Sequence, residues 1–272
     1  MDQPEKPSSE IPEILESSQV ASEVEPEIIW EDHSLALVMK PAGWLTVPGM
    51  PGSLSSRDPS VQQWLADLWK NPVTGDSGFV GTVHRLDRPV SGVMVWAKNP
   101  RSARRLSEQF AAGKVIKQYW AIASGGPESA EGDWEDWLIV QRINGRNSVA
   151  RCQAGSPGSQ LARTNWQIIP SEHLGSGLTW FSLWPQTGRM HQLRVQTSER
   201  GWPILGDTQY GCQSDRWQNR WKLALHARSL TFSHPETGEN FLAEAAVESH
   251  WSSLGNEPKW FSPEERFLIK RS

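Results

Sequence analysis

Continuous apolar runs of strand length, each bounded by turn-forming residues, dominate the first half of the chain. Residues 34–39 (SLALVM) form one such run, closed by Lys40-Pro41-Ala42-Gly43, and read as a buried strand entering a turn. Ordered structure is expected to begin just before it, at Ile28-Ile29-Trp30. Residues 92–98 (GVMVWAK) are a second buried strand. After Asp58-Pro59 the pattern turns helical in VQQWLADLWK, with Asp58 placed to accept first-turn N–H groups, Pro59 suited to the first helical position, and an end near Asn71-Pro72. Asn99-Pro100 opens a second helix, RSARRLSEQFAA, stopped by Gly113. Residues 115–124 are β-branched and aromatic and predict a strand. The second half reads as short strands, at 160–169 and 179–184, with residues 234–239 (HPETGE) as a hairpin turn between 229–233 and 240–245. Many strands and few helices predict an α+β fold: a largely antiparallel mixed β-sheet with flanking helices. No repeat of fixed period, βαβ alternation, GxGxxG or P-loop is present, which weighs against nucleotide-cofactor folds.

Charge changes this picture by its distribution. Of 31 acidic and 27 basic residues, ten acids and one base fall in the first 32 positions, leaving 26 bases against 21 acids in the remainder. The net charge of −4 thus joins an acidic start to a basic body, and a phosphate-bearing partner becomes plausible. Residues 1–28, rich in Pro, Ser and Glu, are expected to be a disordered acidic tail. No apolar stretch approaches the roughly 18 residues of a membrane span, and the start lacks signal-peptide character, so a cytoplasmic, membrane-free protein is expected. Cys152 and Cys212 lie 60 positions apart without a CxxC, against a disulfide framework or zinc ribbon. There are 16 Trp against two Tyr and seven Phe. Trp96, Trp120 and Trp180 sit in strand patterns and belong to the core, which leaves Trp44 and Trp202 as the better candidates for a pocket or a stacked ligand.

Chemistry concentrates in three places. His84-Arg85-Leu86-Asp87-Arg88 packs four ionisable residues into five positions just before a buried strand. Charge there must be solvated, paired or used. A surface loop with local ion pairs and a working site both fit, although Pro89 and Gly92 fix a defined turn. A second cluster, TGRMHQLRV at 187–195, reads equally as helix or strand, with a capped helix start as its plain interpretation. In the third, KLALHAR at 222–228, His226 reads as a hydrogen-bonded core histidine. His84, His191, His226 and His234 lack metal-ligand spacing, so no metal is expected. Asp133, Glu135 and Asp136 read as a solvated strand face, and no GxSxG or Cys/His arrangement supports acyl transfer.

HRLDRPVSGVMVWAK closely resembles the active-site motif of the RluA-type pseudouridine synthases. Four further blocks agree in order: EDHSLALVMKPAGWLTVPG, KQYWAI, QTGRMHQLRV, and GWPILGDTQYG followed by LHARSLTFSHP. The likeness spans residues 29 to about 246. It implies a pseudouridine synthase catalytic domain over 29–272 with a central active-site cleft, and isomerisation of specific uridines in tRNA or rRNA without cofactor or metal. The N-glycosidic bond is broken, and the base is turned and rejoined through C5. The family's essential aspartate falls on Asp87, which either attacks the sugar or abstracts a proton as a glycal forms. Arg194 falls on its basic partner and Tyr119 on the active-site tyrosine. Leu193 would wall the base pocket. Arg85 would fill the stack vacated by an everted uridine, with His84 and Arg88 as further substrate contacts.

Beside the catalytic strand, residues 98–117 carry six bases against Glu108. Lys98, Arg101, Arg104, Arg105 and Lys114 are the expected RNA-backbone contacts, although a merely solvated basic helix face has the same composition. The resemblance lacks the N-terminal S4-type domain that many relatives carry, since residues 1–28 are too short and acidic for one. RNA recognition would then rest on the catalytic domain, acting as a monomer. Residues 211–222 (GCQSDRWQNRWK) read as an exposed basic loop or a helix along the cleft. An RNA-binding or RNA-folding factor with the same fold but no catalysis is the alternative, disfavoured by the joint presence of Asp87, Arg194 and Tyr119. A glycoside hydrolase would need a second carboxylate with no convincing candidate.

Overall fold

The computed structural model describes residues 24–52, 55–143, 145–171, 174–212, 223–248, 251 and 267–271. The predicted tail, up to residue 23, and residues 213–222 of the basic loop lie outside them.

Among the described residues the chain builds one mixed sheet of twelve strands. Strand β1 (Glu27–Glu31) pairs antiparallel with β2 (Leu35–Lys40), and β2 with β4 (Ser91–Ala97), onto whose far end the two-residue β3 (Gly81–Thr82) also pairs. Next to β4 runs β10 (Leu225–Ser233), in parallel, and beyond it β5 (Ile116–Ser124), β9 (Leu178–Pro185), β8 (Gln160–Ile168), β6 (Glu131–Ile143) and β7 (Arg146–Cys152), all antiparallel. A branch leaves β10 through β11 (Asn240–Ala245) to β12 (Phe267–Arg271). Helices α1 (Val61–Leu68), α2 (Pro100–Ala111) and α3 (Gln192–Ser198) flank the sheet.

Two-sided burial explains why the predicted strands read as unbroken apolar runs. Along β2, Ala36 and Val38 enter one core with Met94 and Trp96, while Leu35 and Leu37 enter another with Val93, Val95 and Leu106 of α2. Trp96, Trp120 and Trp180 are fully buried, as their strand positions predict. Where β4 enters beside β10, Gly92 stands at φ +128°, and a Cβ there would meet the Ala227 carbonyl oxygen at 2.3 Å, so only glycine fits. The hairpin register pairs Ser233 with Asn240 across the predicted 234–239 turn.

Helix α2 follows its signals: Asn99 accepts the Ser102 N–H, Pro100 takes the first turn, and Gly113 follows at φ +67°. Helix α1 does not. Its N-cap is Ser60, whose hydroxyl accepts from Gln63 N–H, because the Asp58 carboxylate is engaged by the Arg88 guanidinium. It also ends at Leu68, short of Asn71. The ambiguous 187–195 segment is irregular up to His191 and helical from Gln192, where α3 begins.

Three expectations are corrected. Asp136 is not on a solvated face: it shares the inner side of β6 with Trp134 and Leu138, accepts from Gln196 Nε2, and pairs with Arg151 and Arg200, while Asp133 and Glu135 stay exposed. Trp44 is buried, its indole N–H donating to Val24 O. Trp202 stacks on Phe181 at 6.2 Å, and neither indole lines the cleft described next.

Candidate active site

A cleft of about 930 Å³ opens between the 82–90 loop, the C-terminal end of α2, β5 and the 185–194 segment that ends in α3. The loop carrying Asp87 is pinned at several points. Thr46 Oγ1 donates to Leu86 O at 2.8 Å and accepts the Leu86 N–H at 3.1 Å. Gly43 N–H donates to Arg88 O at 2.9 Å, and Val90 N–H to Asp87 O at 3.0 Å. Beneath the loop lies buried Lys40, whose Nζ donates to the carbonyls of Val90 (2.7 Å), Pro41 (3.0 Å) and Arg88 (3.1 Å). Three acceptors match the three N–H bonds of an ammonium, although burial pushes the group down to about 7. The KPAG turn at the end of β2 thus supplies a support under the loop that carries Asp87.

Arg194, rising from α3, organises the charges. Its Nη1 donates to Asp87 Oδ2 at 3.1 Å, while Nε and Nη2 grip both oxygens of Asp207 at 2.7 and 2.9 Å. Gln209 Oε1 accepts from Nη2 at 3.2 Å, and the guanidinium lies over the Tyr210 ring at 5.0 Å. Burial disfavours this charge, but the bonds and charges of Asp207 and Asp87 outweigh it and raise the group above its ordinary range. Asp207 is closed off at 1% side-chain exposure, whereas Asp87 keeps 29% and faces the cleft. One carboxylate is therefore the anchor and the other is accessible. Tyr119, from β5, lines the same cleft; burial and the Asp87 charge push its phenol well above its ordinary value, so it stays protonated. His191, also in the wall, places Nε2 3.7 Å from Asp87 Oδ2. Among the described residues no cluster of three or more His, Cys, Asp or Glu is arranged to hold a metal ion.

Residues 34–199 match the family model for RNA pseudouridylate synthase. The chain belongs to that family. It is 37% identical over 229 residues to an uncharacterized RNA pseudouridine synthase of Zymomonas mobilis, covering 84% of this chain and 96% of that protein. It is 33% identical over 248 residues to tRNA pseudouridine synthase C of Haemophilus ducreyi (87% and 97% covered). With the dual-specificity RNA pseudouridine synthase RluA of Escherichia coli it shares 33% over 221 residues (81% and 93% covered). In fold it is similar to human RNA pseudouridylate synthase domain containing 4, at a TM-score of 0.63 and 24% identity, covering 83% of this chain and 90% of that one. The protein is therefore an RNA pseudouridine synthase, an isomerase, on the α+β fold that the sequence predicts.

In this pseudouridine synthase the structure brings Asp87, Arg194, Tyr119, Leu193, Arg85 and His84 to one cleft. Arg85 is exposed there and Leu193 buried in the wall. Arg88 is outside it: Nη1 pairs with Asp58 and Nε donates to Gly43 O at 2.9 Å, so its guanidinium braces the loop and does not face substrate. His84 lines the cleft only with its ring. Its Nε2 accepts the Val95 N–H at 3.1 Å and the ring stacks on Phe110, so it too anchors the loop. Burial, with a smaller push from Lys117, takes His84 down to about 3.

A stability prediction follows from His84. The ordinary value is 6.5, so between pH 6.5 and 3 the unfolded chain binds a proton there that the native state refuses, and stability falls as pH falls through that window. The protein should lose on the order of a few kcal/mol there. Replacing His84 with Gln, a non-titrating acceptor, should flatten that part of a urea-unfolding profile against pH; an unchanged slope would refute the assignment.

Of the bases at 98–117, only Lys117 lines the cleft. At helical spacing Arg101, Arg104 and Arg105 share one side of α2, while Ser107, Phe110 and Ala111 line the cleft from another, and several of the bases meet partners elsewhere: Lys98 pairs with Glu31, Arg105 donates to Pro235 O, and Arg101 lies close enough to Glu236 to act on its carboxylate. Arg104 pairs with Glu108 one turn on, and Lys114 is exposed beside Gly113 of the cleft wall. Cations that line the cleft itself are Arg85, Lys117, Arg189 and Arg194. Asp207, His191, Lys40 and Arg189 were not anticipated as site residues. Asp207 stands in the GDTQYG block, where a lone acid among apolar and turn residues was its signal.

Proposed function

We propose that this pseudouridine synthase isomerises specific uridines in transfer or ribosomal RNA, with Asp87 as the group that acts at the sugar. What carries this reading is the three-member chain Asp207–Arg194–Asp87, in which an enclosed carboxylate fixes the guanidinium and the guanidinium donates to an accessible carboxylate at the cleft. An ionised carboxylate is what either route requires, attack at C1′ or proton removal during glycal formation. Uridine stacked in a helix is out of reach, so the nucleotide is everted into the cleft, at a cost of a few kcal/mol. Exposed Arg85 fills the gap, its planar guanidinium replacing lost stacking. Tyr119 stacks on the base and Leu193 forms an apolar wall beside it. No described helix is long and apolar enough to cross a membrane. One chain supplies every named group, so the reading is of a monomer.

The test is to incubate the purified protein with transfer and ribosomal RNA transcripts tritiated at uracil C5, where re-attachment expels the label, and to map pseudouridine in the products. Stoichiometric release at defined uridines is expected. A folded protein that binds these RNAs and releases no label from any of them would overturn the reading in favour of a silent RNA-binding factor.

Backbone contact is assigned to the cations around the cleft, Lys114 and Arg189 among them, and no longer to Lys98, Arg101 or Arg105. Removing either of the first two should weaken RNA binding across sequences and reduce the slope of log affinity against log salt by about 0.7–0.9. Arg105→Ala should leave that slope unchanged in filter binding. The reverse pattern would return the interface to the α2 face.

A further inference from the structure

His191 stands out on backbone grounds. Among the described residues it alone, apart from glycines, adopts positive φ, at +50°, immediately before α3. A β-carbon in that region costs on the order of 1–2 kcal/mol and persists where surrounding contacts over-determine it. The contacts are on its ring. Nδ1 lies 2.7 Å from the Tyr210 hydroxyl. That hydroxyl oxygen already accepts the Val149 N–H at 3.0 Å. An O–H donated by Tyr210 to His191 Nδ1 leaves the imidazole proton on Nε2, the ring nitrogen nearer Asp87. Nε2 points at the cleft, 3.7 Å from Asp87 Oδ2, the same oxygen that accepts from Arg194 Nη1.

We propose that His191 is a positioning residue for Asp87: a neutral imidazole, its tautomer set by Tyr210, that donates Nε2–H to Oδ2 once substrate fills the cleft. The 3.7 Å separation is too long for a hydrogen bond, and catalytic hydrogen bonds commonly tighten only in the complex with substrate. With Oδ2 taken by both donors, Oδ1 is the oxygen left to the sugar. Burial lowers the basicity of the ring, in keeping with a neutral donor. The inference rests on the proposed role of Asp87, and adds the hydrogen bond that orients it.

Two substitutions separate the ring nitrogens. His191→Asn tolerates the left-handed backbone but reaches only the place of Nδ1, whereas His191→Gln puts an N–H near the place of Nε2. With the tritiated transcripts, His191→Asn should slow single-turnover isomerisation about 10- to 100-fold, the loss of one hydrogen bond to a charged group. RNA affinity should change less than about twofold, and His191→Gln should recover most of the rate. A folded His191→Asn turning over at the wild-type rate overturns the proposal, as does a parallel loss of affinity in both variants. A second reading does not depend on turnover: nitrogen NMR of the wild-type imidazole should show the proton on Nε2, and an Nδ1–H tautomer would refute the proposal even if no RNA were converted. Absence of label release by the wild type would count against the function of Asp87, while the tautomer still decides the case for His191.

Discussion

Asp87→Asn should abolish isomerisation, with release of C5 tritium at least about 10⁴-fold below wild type, while the protein folds and binds RNA normally. The amide is isosteric and still accepts from Arg194, but it carries no charge to attack a sugar carbon and no basicity to remove a proton. The fold should hardly notice. Asp87 is 29% exposed in its side chain, and Arg194 keeps its two-pronged grip on Asp207 when Asp87 is neutralised. The stability change in urea unfolding should stay within about 1 kcal/mol. Affinity for RNA should hold or rise slightly, since a negative charge leaves a cleft that receives phosphates. Turnover by the variant at even a tenth of the wild-type rate would remove Asp87 from the chemistry. Loss of binding together with turnover would make it a structural residue.

What the sequence discloses depends on how local the determining interaction is. Helix α2 is legible because its ends are written in adjacent residues: Asn99 and Pro100 at the start, Gly113 after the end. Strands β2 and β4 are legible because both faces are buried, which leaves no alternation to misread. The cap of α1 is misassigned because Asp58 and Ser60 are both competent, and the choice is made by Arg88, 30 positions away, which claims Asp58. The same distant pairing removes Arg88 from the substrate side. Counting bases over 98–117 gives the charge of α2 but not its azimuth, and azimuth decides which cations face the cleft. Asp136 was readable: it alternates with Trp134 and Leu138 on the inward side of β6. The pairing of Arg194 with Asp87, across 107 positions, came from family resemblance and not from spacing. Asp207 needed the fold to be assigned a role, because only the folded chain shows its carboxylate against Nε and Nη2 of an enclosed guanidinium.

Asp207→Ala should be the most destabilising single change at the site. It leaves the Arg194 guanidinium buried, at 7% side-chain exposure, with Nε unpaired and Nη2 left to Gln209. Removing one partner of a buried pair typically costs about 3–5 kcal/mol, and here the single Nη1 bond to the part-exposed Asp87 is the one carboxylate contact left to the guanidinium. Neutralising Arg194 offers no escape, since an arginine stays protonated under any condition in which the protein folds. The guanidinium would therefore turn toward Asp87 or solvent, and isomerisation should fall along with stability. The double variant Asp207→Ala/Arg194→Met separates the two effects. With the charge gone and an apolar chain in its place, much of the lost stability should return. Catalysis should not, because Asp87 Oδ2 then lacks its guanidinium donor. Urea unfolding of the two single variants and the double gives the coupling energy directly. If Asp207→Ala costs less than about 1 kcal/mol, or if the double variant is as unstable as the sum of its parts, the enclosed carboxylate is not what anchors Arg194, and the orientation of Asp87 must come from the pinned 82–90 loop alone.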